Sequence, residues 1–161
     1  METKEEYIKS ELRIYAQLKK LIKENEKYYK SKIERLERKL IDLRAELNAG
    51  NSKGIDYDYI PTTAVREPLL ALLAQEEKYI NELKEVKERE KSEKAMLEAR
   101  ITYIDMLMSK LTDFEKMFIT DYYIKKIPLS CLVQREGYNY SLSTLKRYKD
   151  KIIIKLAKVE P

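Results

Sequence analysis

Histidine and tryptophan are absent from this 161-residue chain, and cysteine occurs once, at Cys131. Without histidine there is no imidazole for general acid-base catalysis, and a lone thiol supplies neither a Cys–His nucleophile nor a cysteine-rich metal site. A single cysteine also excludes an intramolecular disulfide. The many carboxylates are scattered among basic residues, a pattern typical of solvated salt-bridging faces. We therefore expect no enzyme, no bound metal and no other cofactor.

Glycine and proline are scarce, with 3 and 4 residues, whereas 38% of the chain is charged. This usage is typical of long helices and not of sheets punctuated by turns. No apolar run approaches the roughly 18 residues that a membrane span needs, and the first ten residues lack the basic and then apolar layout of a secretory signal. The composition predicts an all-α, soluble, cytoplasmic protein with no membrane partner.

Apolar residues recur in alternating steps of four and three from Ile8 to Leu47, and only Lys19 and Glu26 break the pattern. Such spacing keeps one stripe of a helix facing a partner, so it predicts one helix over residues 6–48. The glycines and asparagines near Gly50 predict that this helix ends there.

A second stripe with the same alternation runs from Leu69 to Leu111 and is polar in its middle. Pro68, which suits a first helical turn, precedes it. The two stripes predict a long helical coiled-coil region over residues 1–110 with a loop near 49–66. The helices either pair with each other as an antiparallel hairpin or pair with a second chain, and we expect a homo-oligomer.

Residues 111–161 have the signals of a separate, shorter domain. Thr112 with Glu115 three residues later is typical of a capping box, and it predicts a helix over about residues 113–126. Pro128 predicts the first turn of a short helix, which ends near Gly137 and Asn139, two residues that tolerate left-handed backbone. Ser141 or Ser143 then caps a last helix. This order is that of a helix-turn-helix domain.

The last helix has the strongest single-sign cluster of the chain: residues 141–158 hold six basic residues and one acidic residue, Asp150. In a helix-turn-helix the second helix enters the major groove with its first residues at the base edges. We predict a guanine contact for Arg147 and phosphate contacts for the lysines. The candidate DNA-binding residues are Ser141, Ser143, Thr144, Lys146, Arg147, Lys149 and Lys151, opposite an apolar face of Leu145, Tyr148, Ile152 and Leu156. The alternative is an amphipathic helix with an ordinary solvated lysine face.

Three short motifs carry a resemblance to known proteins: DYYI at residues 121–124, IPLS at 127–130 and YSLSTLKRY at 140–148. The stretch that contains them resembles the promoter-reading C-terminal region of bacterial sigma factors. It is more similar still to the ArpU/RinA type of phage and prophage late-transcription regulators. The resemblance implies a sigma-factor-like, phage-encoded regulator of transcription that binds promoters, with RNA polymerase as a possible partner.

Three functions remain open from the sequence. The first is a regulator that binds double-stranded DNA through residues 111–161. The second is a recognition subunit for phage DNA packaging, similar to a small terminase subunit. The third is a coiled-coil adaptor or inhibitor that binds RNA polymerase or another protein. Replacement of Arg147 and Lys149 by glutamate is expected to abolish DNA affinity in the first two and to leave partner binding intact in the third.

Overall fold

The computed structural model describes residues 3–52 and 63–159, and every regular element in these ranges is helical. The elements are α1 (Lys4–Ser52), α2 (Thr63–Ser109), α3 (Asp113–Ile119), a π-helical segment (Thr120–Ile124), α4 (Leu129–Leu132) and α5 (Leu142–Ala157). The predicted all-α class is confirmed. Within the described ranges, none of the helices combines the length and the apolar character that a membrane span requires.

Both long helices extend further into the predicted loop than the sequence suggested. α1 continues past Asn48 and Gly50 to Ser52, and α2 begins at Thr63, so that Pro68 lies inside it. One glycine costs a helix about 1 kcal/mol, which a long packed helix tolerates. Pro68 is the sixth residue of α2, beyond the first four N–H groups that have no intrahelical acceptor, so it costs the helix one backbone hydrogen bond. The rest of the predicted loop, residues 53–62, lies outside the described residues.

The chain packs as two compact units. The first comprises Met1–Ile22 and Ala95–Pro161, and the second comprises Lys23–Lys94, so each long helix contributes to both. The first unit combines one end of each long helix with α3, α4 and α5. The sequence predicted a domain boundary between residues 110 and 111, which means that residues 111–161 would fold independently. This stays a prediction.

In the second unit, ion pairs connect α1 to α2. Glu26 pairs with Lys94 at 2.9 Å, Glu37 with Lys87 at 3.2 Å and Glu76 with Arg44 at 2.7 Å. Positions rise along α1 as they fall along α2, which is the order of two antiparallel helices. Each exposed pair contributes at most about 1 kcal/mol. A small apolar cluster of Tyr29, Leu36 and Val86, flanked by Ile33, Tyr79 and Leu83, accompanies them.

The predicted stripe of α1 is buried at most of its apolar positions. These are Ile8, Leu12, Tyr29, Leu36, Leu40 and Leu43. At the first break the neighbouring Leu18 is buried in place of Lys19, which is exposed. The chain therefore keeps an apolar contact at that turn by a shift of one residue.

In its first half the predicted stripe of α2 was wrong at Leu69, Leu73, Ile80 and Lys87, but not at Leu83, which packs against the small apolar cluster. Leu69, Leu73 and Ile80 are 42%, 45% and 43% exposed, and Val86 is buried where the strict alternation had selected Lys87. An α-helix has 3.6 residues per turn, so a strict 3.5-residue register drifts by about 20° per heptad. Over a helix of this length the drift moves the assigned stripe away from the buried face.

The core of the first unit is shared by all of its helices. Ile8 and Leu12 come from α1, and Ile104 and Leu107 come from α2. They belong to one cluster with Phe118, Ile119, Tyr123, Leu132, Tyr138, Leu145, Ile152, Ile153 and Leu156. Full burial of one large aliphatic side chain stabilises the fold by about 1.5–3 kcal/mol. The three C-terminal helices therefore depend on the long helices for part of their core.

A buried carboxylate also lies in the first unit. Glu11 is 3% exposed, and it accepts hydrogen bonds of 3.1 and 2.6 Å from Nε and Nη2 of Arg100. Two bonds from one guanidinium compensate the desolvation of this charge. The hydrogen bond with Glu11 also raises the pKa of Arg100, against the opposing effect of burial.

Candidate nucleic-acid interface

The capping box predicted at Thr112 is present, and its Glu115 also binds α5. The Thr112 hydroxyl accepts the N–H of Glu115, and the Glu115 carboxylate accepts the N–H of Thr112 at 2.8 Å. The same carboxylate accepts a 2.7 Å hydrogen bond from Lys155 of α5. Burial opposes ionisation of Glu115, but the bonds from Lys155 and Thr112 lower its pKa below the ordinary value. Glu115 thereby holds α5 against the start of α3.

The helix predicted over residues 113–126 changes character before its end. α3 stops at Ile119, and a π-helical turn over Thr120–Ile124 follows it. This turn places Asp121 inside the unit at 6% exposure, where Lys125 and the Tyr138 hydroxyl donate to it at 2.8 and 3.0 Å. Single π-helical turns often mark functional or strained positions, because they add one residue to a helical turn.

The short helix and the turn before α5 agree in outline with the sequence. α4 spans only Leu129–Leu132, with Pro128 as its N-cap and not inside its first turn. Gly137 has the predicted left-handed backbone, with φ of +92°, whereas Asn139 does not share it. Cys131 of α4 is exposed.

Ser141, one of the two predicted caps, begins α5. Its hydroxyl accepts the N–H of Thr144 at 3.3 Å and lies 2.9 Å from the hydroxyls of both Ser143 and Thr144. Three hydroxyl groups are therefore clustered at the first turn of the helix. Ser141 acts mainly as the cap, while the exposed Ser143 remains accessible.

The two faces of α5 follow the predicted division except at Tyr148, which was assigned to the apolar face and lines the outer groove. Leu145, Ile152 and Leu156 are at most 1% exposed, as is Ile153, which the predicted face omitted. On the outer side, Thr144, Arg147, Tyr148, Asp150, Lys151 and Ile154 line a shallow groove of about 500 Å³. The buried face anchors the helix, so that the outer face is presented at a fixed orientation to the rest of the unit.

The basic side chains of α5 fall into two groups. Lys149 is half-buried and lies 3.5 Å from Asp150, and Lys155 is bound to Glu115. By contrast, Lys146, Arg147 and Lys151 are exposed and have no ion pair with another described residue. The sequence grouped Lys149 with the phosphate contacts, but its Nζ shares the acidic partner next to it. Among the described residues, the basic side chains of α5 without an acidic partner are Lys146, Arg147 and Lys151.

An aromatic cluster that the sequence did not group lies at the start of α5. The Phe114 ring lies 5.9, 5.3 and 5.7 Å from the rings of Tyr138, Tyr140 and Tyr148, in edge-to-face geometry. A hydrogen bond with Tyr148 raises the pKa of the Tyr140 hydroxyl. Such pairs each contribute about 0.5–1.5 kcal/mol beyond their buried area. These tyrosines thus pack against one another and orient the first turn of α5.

Among the described residues, no group of three or more acidic, cysteine or histidine side chains is placed to bind a metal ion. The outer face of α5 offers guanidinium and ammonium donors together with hydroxyls. This donor set binds phosphates and base edges by charge and hydrogen bonding.

Comparisons with known proteins give no relative for this chain: no family model, no curated protein and no solved structure matches it. The resemblance to sigma factors and phage regulators therefore stays a prediction.

Proposed function

We propose that this protein is a sequence-specific regulator of transcription that binds double-stranded DNA, with α4, the following turn and α5 acting as a helix-turn-helix. One observation carries the proposal. The outer face of α5 presents Lys146, Arg147 and Lys151, none of which is ion-paired within the part of the chain that the structure describes, next to the hydroxyls of its first turn. Arginine can donate two hydrogen bonds to a guanine, and lysines neutralise the flanking phosphates.

The dimensions of α5 fit this role. Its 16 residues correspond to about 24 Å of helix at 1.5 Å per residue. A helix with side chains is about 10–12 Å wide and enters a major groove about 12 Å wide. Because Leu145, Ile152 and Leu156 fix the opposite face, insertion requires no rearrangement of the unit.

The long helices have a second role in the proposal: α1 and α2 form an antiparallel hairpin that associates with a second copy. The exposed Leu69, Leu73 and Ile80 of α2 lie at helical spacing and support this part. Two copies would present two reading helices to paired half-sites. Replacement of Leu73 and Ile80 by glutamine is expected to convert an oligomer to a monomer in sedimentation equilibrium, and an unchanged mass would contradict the association.

The C-terminal stretch of the chain resembles phage and prophage regulators. On this basis we propose promoters as the DNA targets and RNA polymerase as the protein partner. A second candidate function is a coiled-coil adaptor or inhibitor that binds such a protein and no DNA. The exposed apolar residues of α2 favour it equally. The two candidates differ in one respect, since only the regulator requires Arg147.

The test is a binding titration against duplex fragments from the gene's own neighbourhood, at two salt concentrations. Arg147→Glu is compared with Arg38→Glu, which makes the same charge change at a side chain that is 79% exposed in the second unit. The regulator predicts retention of a few fragments, a loss of 100-fold or more in Arg147→Glu and little change in Arg38→Glu. No retained fragment, or equal losses in both variants, would refute it.

A further inference from the structure

The first unit has a second basic site, formed by residues outside α5. Arg13, Tyr122, Tyr123, Lys126 and Ile127 line a cleft of about 360 Å³. Arg13 comes from α1, whereas the other four residues belong to the π-helical segment and the loop after it. The Arg13 guanidinium lies 6.0 Å from the centre of the Tyr123 ring, which holds the charge over the floor of the cleft.

No described acidic side chain forms an ion pair with either of the two cations of the cleft. Both cations, Arg13 and Lys126, are exposed. The adjacent Lys125 differs, because its Nζ is bound to Asp121 at 2.8 Å. Two positive charges at one concave site attract an anion from solution.

The backbone at Lys126 adds an independent observation. Its φ is +58°, and no other described residue except glycine has a positive φ. This conformation is unfavourable for a side chain with a Cβ, and such positions cluster at binding sites. The N–H of Ile127 donates to the carbonyl of Asp121 at 2.9 Å, which fixes the turn that contains Lys126.

The cleft and α5 share one apolar core. Tyr123 of the cleft is buried in the same cluster as Ile152 and Ile153 of α5. A helix in the major groove is flanked by both phosphate backbones, and proteins fix their register through contacts to these phosphates.

We propose that Arg13 and Lys126 bind a phosphate group of the DNA backbone beside the groove that α5 enters. The inference rests on the proposed function and adds a contact from α1 to it. A guanidinium can donate two parallel hydrogen bonds to a phosphate, and a lysine adds a point charge. The contact is independent of sequence, so it strengthens specific and non-specific binding equally.

The experiment measures the affinity of the full chain for a selected duplex and for a random duplex at several salt concentrations. The test variant is Arg13→Gln/Lys126→Asn, in which asparagine tolerates the positive φ. The control is Arg38→Gln/Lys84→Gln, which removes two exposed charges from the second unit. Thermal melting checks that both variants stay folded.

Affinity falls with salt, and the expected result is that this dependence becomes less steep in the test variant only. The magnitude of the slope of log affinity against log salt should decrease by about 0.9 on both duplexes. An unchanged slope, or an equal decrease in the control, overturns the phosphate site. If the wild type binds no duplex, both proposals fail. If the wild type binds selectively and Arg147→Glu does not, while the test variant keeps the full slope, only the phosphate site fails.

Discussion

The hydroxyl of Tyr138 donates a 3.0 Å hydrogen bond to Oδ2 of Asp121, and both side chains are buried. Asp121 lies in the π-helical segment before α4, and Tyr138 lies in the turn before α5. Arg135 lies 3.5 Å from the same carboxylate oxygen. This bond therefore connects the two ends of the α4 region and sets where α5 begins.

Loss of this bond is expected to destabilise the protein measurably. Tyr138→Phe removes one donor from a buried carboxylate, which should lower the free energy of unfolding by about 1–2 kcal/mol. Urea denaturation measures the change. Tyr28→Phe is the matched control, since Tyr28 is 59% exposed, and its effect should stay within about 0.5 kcal/mol. Equal effects of the two substitutions would show that the hydrogen bond to Asp121 makes no net contribution to the free energy of unfolding.

The same bond predicts a pH dependence. Burial opposes ionisation of Asp121, but hydrogen bonds from Lys125 and Tyr138 lower its pKa below the ordinary 3.8. A depressed carboxyl pKa stabilises the fold above the ordinary value, and this stability is lost as the pH falls through the folded-state pKa. The stability difference between wild type and Tyr138→Phe should therefore be constant near neutral pH and shrink below about pH 4. Urea titrations across this range measure it, and a difference independent of pH would contradict the prediction.

Strain at Lys126 predicts a gain of stability on substitution. Lys126→Gly relieves the left-handed backbone and should raise the free energy of unfolding by about 1 kcal/mol, whereas Lys126→Ala removes the same side chain without this relief. Both variants lose the charge, so a phosphate contact would be weakened in both. Thermal or urea unfolding compares them. Equal stabilities of the glycine and alanine variants would show that the conformation is not strained.

The shared core predicts that the C-terminal segment needs the long helices. Ile8, Leu12, Ile104 and Leu107 belong to the same cluster as the buried face of α5. A segment of residues 111–161 without them is also near the lower size limit for a stable core. We expect weak helicity and no cooperative melting in circular dichroism. A cooperative transition at the melting temperature of the full chain would instead support the boundary predicted from the sequence.

Local signals were sufficient to predict several elements. The capping box at Thr112, the glycine turn at Gly137 and the cap at Ser141 each depend on a few neighbouring residues, and each is found. The division of α5 into two faces depends on one helical period, and it holds except at Tyr148. In these cases the interactions that decide the geometry lie within one or two turns of the chain.

Long-range features could not be predicted in the same way. Val86 is buried and Lys87 is not. Which residues of a long helix are buried depends on the helix that packs against it, and a strict seven-residue pattern does not include that information. Arg13 and Lys126 meet at one cleft although they are distant in sequence, and no local pattern connects them. The positive φ of Lys126 could not be predicted from the sequence, since lysine is not a residue that favours this conformation. Tertiary packing determines all three.

In the proposed regulator, α5 distinguishes DNA sequences through Arg147. The most direct measurement selects bound duplexes from a random pool and compares the affinity for the selected site with that for a shuffled duplex. The predicted result is a preference of about 1,000-fold or more in the wild type, reduced about 5- to 150-fold in Arg147→Ala through loss of one base contact. Equal affinity of the wild type for both duplexes, or a preference that Arg147→Ala leaves unchanged, would contradict the account.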